Sequence, residues 1–74
     1  MSITVYTKPS CVACNQTKKT LDRLELEYEI IDITLDSQAY DKVVALGFQS
    51  APVVIAGDNA WAGFQPEKLK ALVA

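Results

Sequence analysis

Cys11-Val12-Ala13-Cys14 is the part of this chain whose residue types and spacing could do chemistry. Two thiols two residues apart can close a disulfide and reopen as a dithiol, which is a two-electron exchange. The residues before them, Ile3-Thr4-Val5-Tyr6-Thr7, are β-branched and aromatic and read as a strand that stops at Lys8-Pro9-Ser10. The residues after them read as a helix. A cysteine at a helix start meets unpaired N–H groups and a partial positive charge, so its thiolate is favoured and its pKa falls below the free value of about 8.5. Lys8 on the preceding loop adds to this effect. Cys14, nearly one turn further in, is within disulfide reach but more buried. Spacing and surroundings thus separate an attacking thiol, Cys11, from a resolving thiol, Cys14.

Blander chemistry has to be set beside this. A structural disulfide across two residues closes a tiny loop, contributes little chain entropy and does not persist in a reducing cytosol. A zinc site needs four ligands, and the chain offers two thiolates and no histidine, so only a metal-bridged dimer would complete one. Two inert core thiols are a further reading, since free cysteine is often buried. The strand-to-helix context favours redox work over all three.

The rest of the composition narrows the function classes. The 74 residues suit one domain spanning 1–74, with half the residues hydrophobic and a net charge of −2. A general nucleic-acid binder would be basic, so that partner is not expected. No apolar run is longer than Val53-Val54-Ile55-Ala56, far short of the ~20 residues of a membrane span. The N-terminus shows no signal-peptide pattern, which points to the cytoplasm. Without histidine, Ser-His-Asp and Cys-His mechanisms are excluded within the chain. The first 21 residues carry Lys8, Lys18 and Lys19 and no acid, a local +3 that contains both cysteines; the remaining 53 carry −5.

The elements that must position the cysteines follow from periodicity. Ala13, Thr17, Leu21 and Leu24 form a stripe that predicts a helix over about 12–25. Tyr28 to Ile33 reads as a second strand. Asp36 and Ser37 are N-cap candidates for a second helix whose stripe is Tyr40, Val43, Val44 and Gly47, with Gly47 ending it. Pro52 opens a third strand, Val53 to Ala56. Gly57-Asp58-Asn59 is a turn into a fourth strand, Ala60 to Ala62, and Pro66 starts a last helix with Leu69, Leu72 and Val73 as its buried stripe. The order β-α-β-α-β-β-α predicts an α/β fold, a four-stranded mixed sheet with a parallel β-α-β start, an antiparallel final hairpin and helices on both faces.

Lys8, Val12, Ala51, Pro52 and Trp61 are the candidate substrate-facing residues around the cysteines. On residues alone, Pro52 reads as an ordinary trans proline, since only ~5–6% of X–Pro bonds are cis. A cis Pro52 beside the cysteines would instead leave the Ala51 backbone free to pair with an extended substrate chain. Trp61 reads equally well as core or as a docking aromatic; Phe48 and Phe64 read as core first.

Ile3-Thr4-Val5-Tyr6-Thr7, Cys11-Val12-Ala13-Cys14, Ala51-Pro52-Val53-Val54 and Ala60-Trp61-Ala62-Gly63-Phe64-Gln65-Pro66 together resemble the NrdH-redoxins, over essentially the whole chain. These are small glutaredoxin-like proteins with a thioredoxin fold. The resemblance implies Cys11 as nucleophile, Cys14 as resolving thiol and Pro52 as a cis-proline. It implies no metal or organic cofactor, the large subunit of class Ib ribonucleotide reductase as electron acceptor, thioredoxin reductase as electron donor, and a monomer. The chain departs from the family pattern in having Ala13 where glutamine is usual, and Ala62 and Gln65 where serine and arginine are usual. Ala62 offers no side-chain hydrogen bond and Gln65 no charge to that loop. Ser50-Ala51-Pro52 and a single Gly57 stand where glutaredoxins proper carry Thr-Val-Pro and a Gly-Gly turn for glutathione, so a strong glutathione site is not expected. The alternatives are an ordinary glutathione-dependent glutaredoxin and a non-catalytic binding module of the same fold.

Overall fold

The computed structural model describes residues 2–73. Strand β1, Ile3–Thr7, lies inside a four-stranded sheet of order β2-β1-β3-β4, where β2 is Glu29–Asp32, β3 is Val53–Ala56 and β4 is Asn59–Ala62. β1 pairs parallel with β2, Val5 opposite Ile30, and antiparallel with β3, Val5 opposite Val54. β3 and β4 form the expected hairpin, with Val54 opposite Trp61. The loop between them is tighter than the sequence suggests, because Asn59 already pairs with Ala56. That leaves Gly57 and Asp58 to turn the chain, and Gly57 takes φ 59°, a value tight hairpins favour. The four-stranded mixed sheet and its β-α-β-α-β-β-α order make this a thioredoxin-like fold.

Alternation along the strands divides the apolar residues between two faces. Ile3 and Val5 of β1, Val54 and Ala56 of β3 and Trp61 of β4 pack with Leu21 and Leu69. Those two leucines come from helix α1, Val12–Arg23, and helix α3, Pro66–Ala71, which therefore share one face. On the other face Tyr6 and Val53 pack with Ala39 and Val43 of helix α2, Ser37–Ala45. Helices cover both faces, as the order of elements requires.

Both longer helices end in the same device. In α2, Leu46 is the C-cap and Gly47 follows at φ 89°; Gly47 N–H donates to the Val44 carbonyl and Phe48 N–H to the Val43 carbonyl. In α1, Leu24 is the C-cap and Glu25 follows at φ 60°; Glu25 N–H donates to Asp22 and Leu26 N–H to Leu21. This double closure satisfies carbonyls that would otherwise be orphaned, and normally uses glycine at the left-handed position. With Glu25 there, α1 stops at Arg23 and not at residue 25.

Other boundaries also move. β2 is shorter than Tyr28 to Ile33, and those two residues flank it. The α2 stripe is rotated: Ala39 and Val43 are buried, whereas Tyr40 and Val44 are half exposed. Val73 lies beyond α3 and is half exposed, so it does not belong to that helix's buried stripe. The Asp36 cap is as expected, its carboxylate accepting from Ala39 N–H at 3.0 Å.

Candidate functional site

The polypeptide leaves β1 at Thr7 and reaches α1 through Lys8, Pro9 and Ser10. Ser10 takes φ 57°, a left-handed turn that sets Cys11 at the helix N-cap with extended backbone, φ −111° and ψ 105°. From that position Cys11 Sγ accepts a hydrogen bond from Cys14 N–H at 3.1 Å. The sulfur thus occupies the place of the side-chain oxygen of a capping serine or aspartate. Cys11 and Cys14 are joined in a disulfide with their Cα atoms 5.2 Å apart, so the structure is the oxidised form of the pair.

The two sulfurs are not equivalent. Cys14 lies on the inner side of α1 with Thr17 and Leu21 and is 1% exposed, while Cys11 retains 8%. Thr17, fully buried, satisfies its hydroxyl on the Ala13 carbonyl at 2.9 Å. Val12, between the cysteines, projects outward at 72% exposure. An incoming disulfide therefore meets Cys11 first. Reduction would leave the Cys11 sulfur facing a donor N–H, which stabilises the thiolate relative to the thiol.

The second wall comes from the loop before β3. The Ala51–Pro52 bond is cis, and Pro52 is fully buried. The Ala51 carbonyl oxygen lies 3.8 Å from Cys11 Sγ, across a sequence separation of 40. Gly63, at φ 85°, donates its N–H to the Pro52 carbonyl at 2.8 Å and so ties the end of β4 to the same loop. Gln65 Nε2 donates to the Ala62 carbonyl at 2.8 Å. The segment with Ala62 and Gln65 thus holds itself through a side-chain amide and a main-chain carbonyl.

Of the residues singled out in the sequence, Cys11, Cys14, Val12, Ala51 and Pro52 come together here, with exposed Lys8 on the entering loop. Trp61 does not join them as a docking aromatic. It is 4% exposed and packs in the core with Val54 and Leu69, with Lys68 Nζ 5.9 Å from its ring centre. Position 61 faces the α1/α3 side of β4, which settles the choice between core and surface in favour of core.

Sequence reasoning missed a groove of about 600 Å³ that opens beside Ala51 and Lys8 and runs along α2 past Tyr40, Val44 and Phe48. Its signal was the breadth of the apolar arc on α2. Tyr40 and Val44 lie roughly 100° round the helix from Ala39 and Val43, wider than one seam buries.

Among the described residues no helix is long and apolar enough to cross a membrane. The Glutaredoxin family model matches residues 3–61. The glutaredoxin-like protein NrdH of Salmonella typhimurium is 42% identical over 72 residues, covering 97% of this chain and 89% of that relative. NrdH of Lactococcus lactis is 37% identical over 70 residues, covering 95% of this chain and 97% of its own length. The solved structure of the glutaredoxin-like protein NrdH-redoxin from Escherichia coli, described for its thioredoxin-like activity profile, superposes with a TM-score of 0.95 at 39% identity, covering 97% of this chain and 95% of that one. With its disulfide capping the first helix of this fold, the chain belongs to the glutaredoxin family, among the NrdH-type glutaredoxin-like thiol–disulfide oxidoreductases.

Proposed function

We propose that this oxidoreductase is a protein electron carrier of the cytoplasm, re-reduced by thioredoxin reductase and delivering its electrons, as a monomer, to the large subunit of class Ib ribonucleotide reductase. In the reduced protein Cys11 thiolate attacks one sulfur of an acceptor disulfide. A Cys11–acceptor bond forms and the acceptor's other sulfur leaves as thiolate. Cys14, after losing its proton to solvent, attacks Cys11 Sγ, forms the Cys11–Cys14 disulfide and releases the acceptor's second thiolate. The acceptor gains two electrons and takes up protons from water; the carrier loses the same two electrons. The reductase restores the dithiol at the expense of NADPH.

The observation that carries this reading is the Cys14 N–H donating to Sγ of Cys11, the more exposed of the two cysteines, a contact that favours its thiolate once the pair is reduced. The thioredoxin-like profile of the Escherichia coli relative supports thioredoxin reductase as the source of electrons. So do Ser50-Ala51 before Pro52 and the single Gly57, which differ from a glutathione site. The test is coupled NADPH oxidation with a protein disulfide. Thioredoxin reductase should sustain fast turnover, and glutathione with glutathione reductase slow turnover. The reverse ranking would make the protein an ordinary glutathione-dependent glutaredoxin.

A further inference from the structure

Two hydrogen bonds at the start of α1 meet in one peptide group. Cys14 N–H donates to Cys11 Sγ at 3.1 Å, and Thr17 Oγ1 donates to the Ala13 carbonyl at 2.9 Å. That carbonyl and that N–H are the two ends of the planar Ala13–Cys14 peptide, pointing in opposite directions along the helix. A line of donors therefore runs from the Thr17 hydroxyl, through the peptide, to the attacking sulfur. A donor on the oxygen of a peptide polarises the group and makes its N–H a stronger donor in turn.

The residue types agree with such a role. Cys14, Thr17 and Leu21 are the buried residues of α1, and Thr17, at 0% exposure, is the one with a hydroxyl. Valine has the same branched shape and would occupy the site with no polar group to satisfy. Thr20 makes the same kind of bond on the open side of the helix, to the Gln16 carbonyl at 2.9 Å. The peptide that Thr20 acts on carries the N–H of Thr17, which lies inside the helix and does not serve the sulfur. A threonine bonding back four residues is thus common to both positions, and the connection to Cys11 is particular to Thr17.

We propose that Thr17 is a positioning residue for the nucleophile: acting through the Ala13–Cys14 peptide, its hydroxyl fixes and strengthens the N–H that holds Cys11 Sγ as a thiolate. The inference rests on Cys11 being the attacking thiol and adds a buried residue that tunes it. Thr17 touches neither the acceptor nor the reacting atoms. Its effect is on the fraction of Cys11 that is ionised, and so on the rate of the first step.

The experiment follows alkylation of the reduced full chain by iodoacetamide as a function of pH, with the modified cysteine located by mass spectrometry. The midpoint of the profile reads the Cys11 pKa. Thr17→Val should raise that midpoint by about 0.2–0.4 unit, the effect of weakening a charge-assisted hydrogen bond by about a fifth. Below the midpoint Cys11 should then react about twofold more slowly. Thr17→Ala, which also lacks the hydroxyl and suits a helix, should show the same shift and serves if the valine variant does not fold. Thr17→Ser keeps the hydroxyl and should restore the wild-type midpoint. Thr20→Val removes the equivalent bond elsewhere on α1 and should leave the midpoint unchanged. Lys8 on the entering loop and the Ala51 carbonyl, 3.8 Å from Cys11 Sγ, are the same in every variant.

An unchanged midpoint in the folded variants without the hydroxyl, with only their melting temperature altered, would make Thr17 a structural residue and overturn the proposal. A shift in Thr17→Ser as large as in Thr17→Val would assign the effect to packing, and an equal shift in Thr20→Val would assign it to the helix at large; either overturns it. All three results leave the carrier reading standing as long as Cys11 is the cysteine modified in the wild type. Preferential alkylation of Cys14 there would bring down that reading and the proposal together.

Discussion

The backbone N–H of Cys14 donates to Cys11 Sγ over 3.1 Å, so the resolving residue caps the nucleophile it will later attack. In the dithiol this bond favours the charged form of Cys11, and the pKa of that thiol should fall below about 8.5. The sign follows from an anion gaining a donor: the thiolate fraction near neutral pH rises, and the rate of attack should rise with pH through the lowered pKa and then level. Thiolate absorbance of reduced protein, titrated in wild type and in Cys14→Ser, reads this directly. A Cys11 pKa at or above the free value would remove the capping argument.

The unequal exposure of the two residues, 8% for Cys11 and 1% for Cys14, gives different outcomes for the two serine variants. Cys11→Ser should abolish turnover, because the remaining thiol is shut away along α1. Cys14→Ser should still attack, and then stall as a covalent adduct with the acceptor, since nothing is left to displace it. Intact mass spectrometry after mixing with an oxidised protein substrate should show the adduct. Turnover of a protein disulfide by Cys14→Ser at the wild-type rate would show that the dithiol step is not used.

Glu25 at φ 60° and Gly47 at φ 89° occupy the same position after their helices, with opposite suitability. Only glycine takes a left-handed conformation without steric cost. Glu25→Gly should therefore stabilise the protein by about 0.5–1 kcal/mol, a rise in melting temperature of about 2–8 °C for a domain this small. Gly47→Ala should destabilise it by about 1 kcal/mol, and only through the backbone, because an added Cβ would meet nothing within 4 Å. Thermal melts of the two variants should move in opposite directions.

The same pair shows what the sequence makes legible. Gly47 announces the end of α2 because glycine is the residue that position favours. Glu25 hides the end of α1, since a glutamate at C′ looks like more helix, and so the boundary lands two residues late. The redox site is legible because its chemistry needs rare residues at a fixed spacing, Cys11 and Cys14, on a strand-to-helix turn. Trp61 is not, because an aromatic on a strand packs equally well on either side of it, and only the register with Val54 assigns its face. The groove is hidden for a similar reason. Periodicity says that Tyr40 and Val44 lie near one face of α2, but not that the sheet covers only Ala39 and Val43.

Tyr28 provides a pH test of the fold that is independent of the cysteines. Its hydroxyl donates to Asp22 Oδ1 at 2.7 Å and reaches the Lys18 carbonyl at 3.4 Å, fastening the approach to β2 onto α1. Burial, then the hydrogen bond and charge of Asp22, push its pKa up to about 12 from 10.0. A neutral phenol is thus favoured in the folded protein, so between pH 10 and about 12 the unfolded chain sheds this proton first. The contribution of Tyr28 to stability is complete below pH 10 and is lost as pH climbs through that window. Tyr28→Phe should cost about 0.5–1 kcal/mol at neutral pH, the value of a largely solvent-accessible hydrogen bond. The gap to wild type should then narrow in urea melts above pH 10, because only the wild type has this phenol to ionise. Groups common to both proteins cancel in the difference. A gap that stays constant to the alkaline limit would mean that the Tyr28–Asp22 bond does not discriminate between the folded and unfolded phenol.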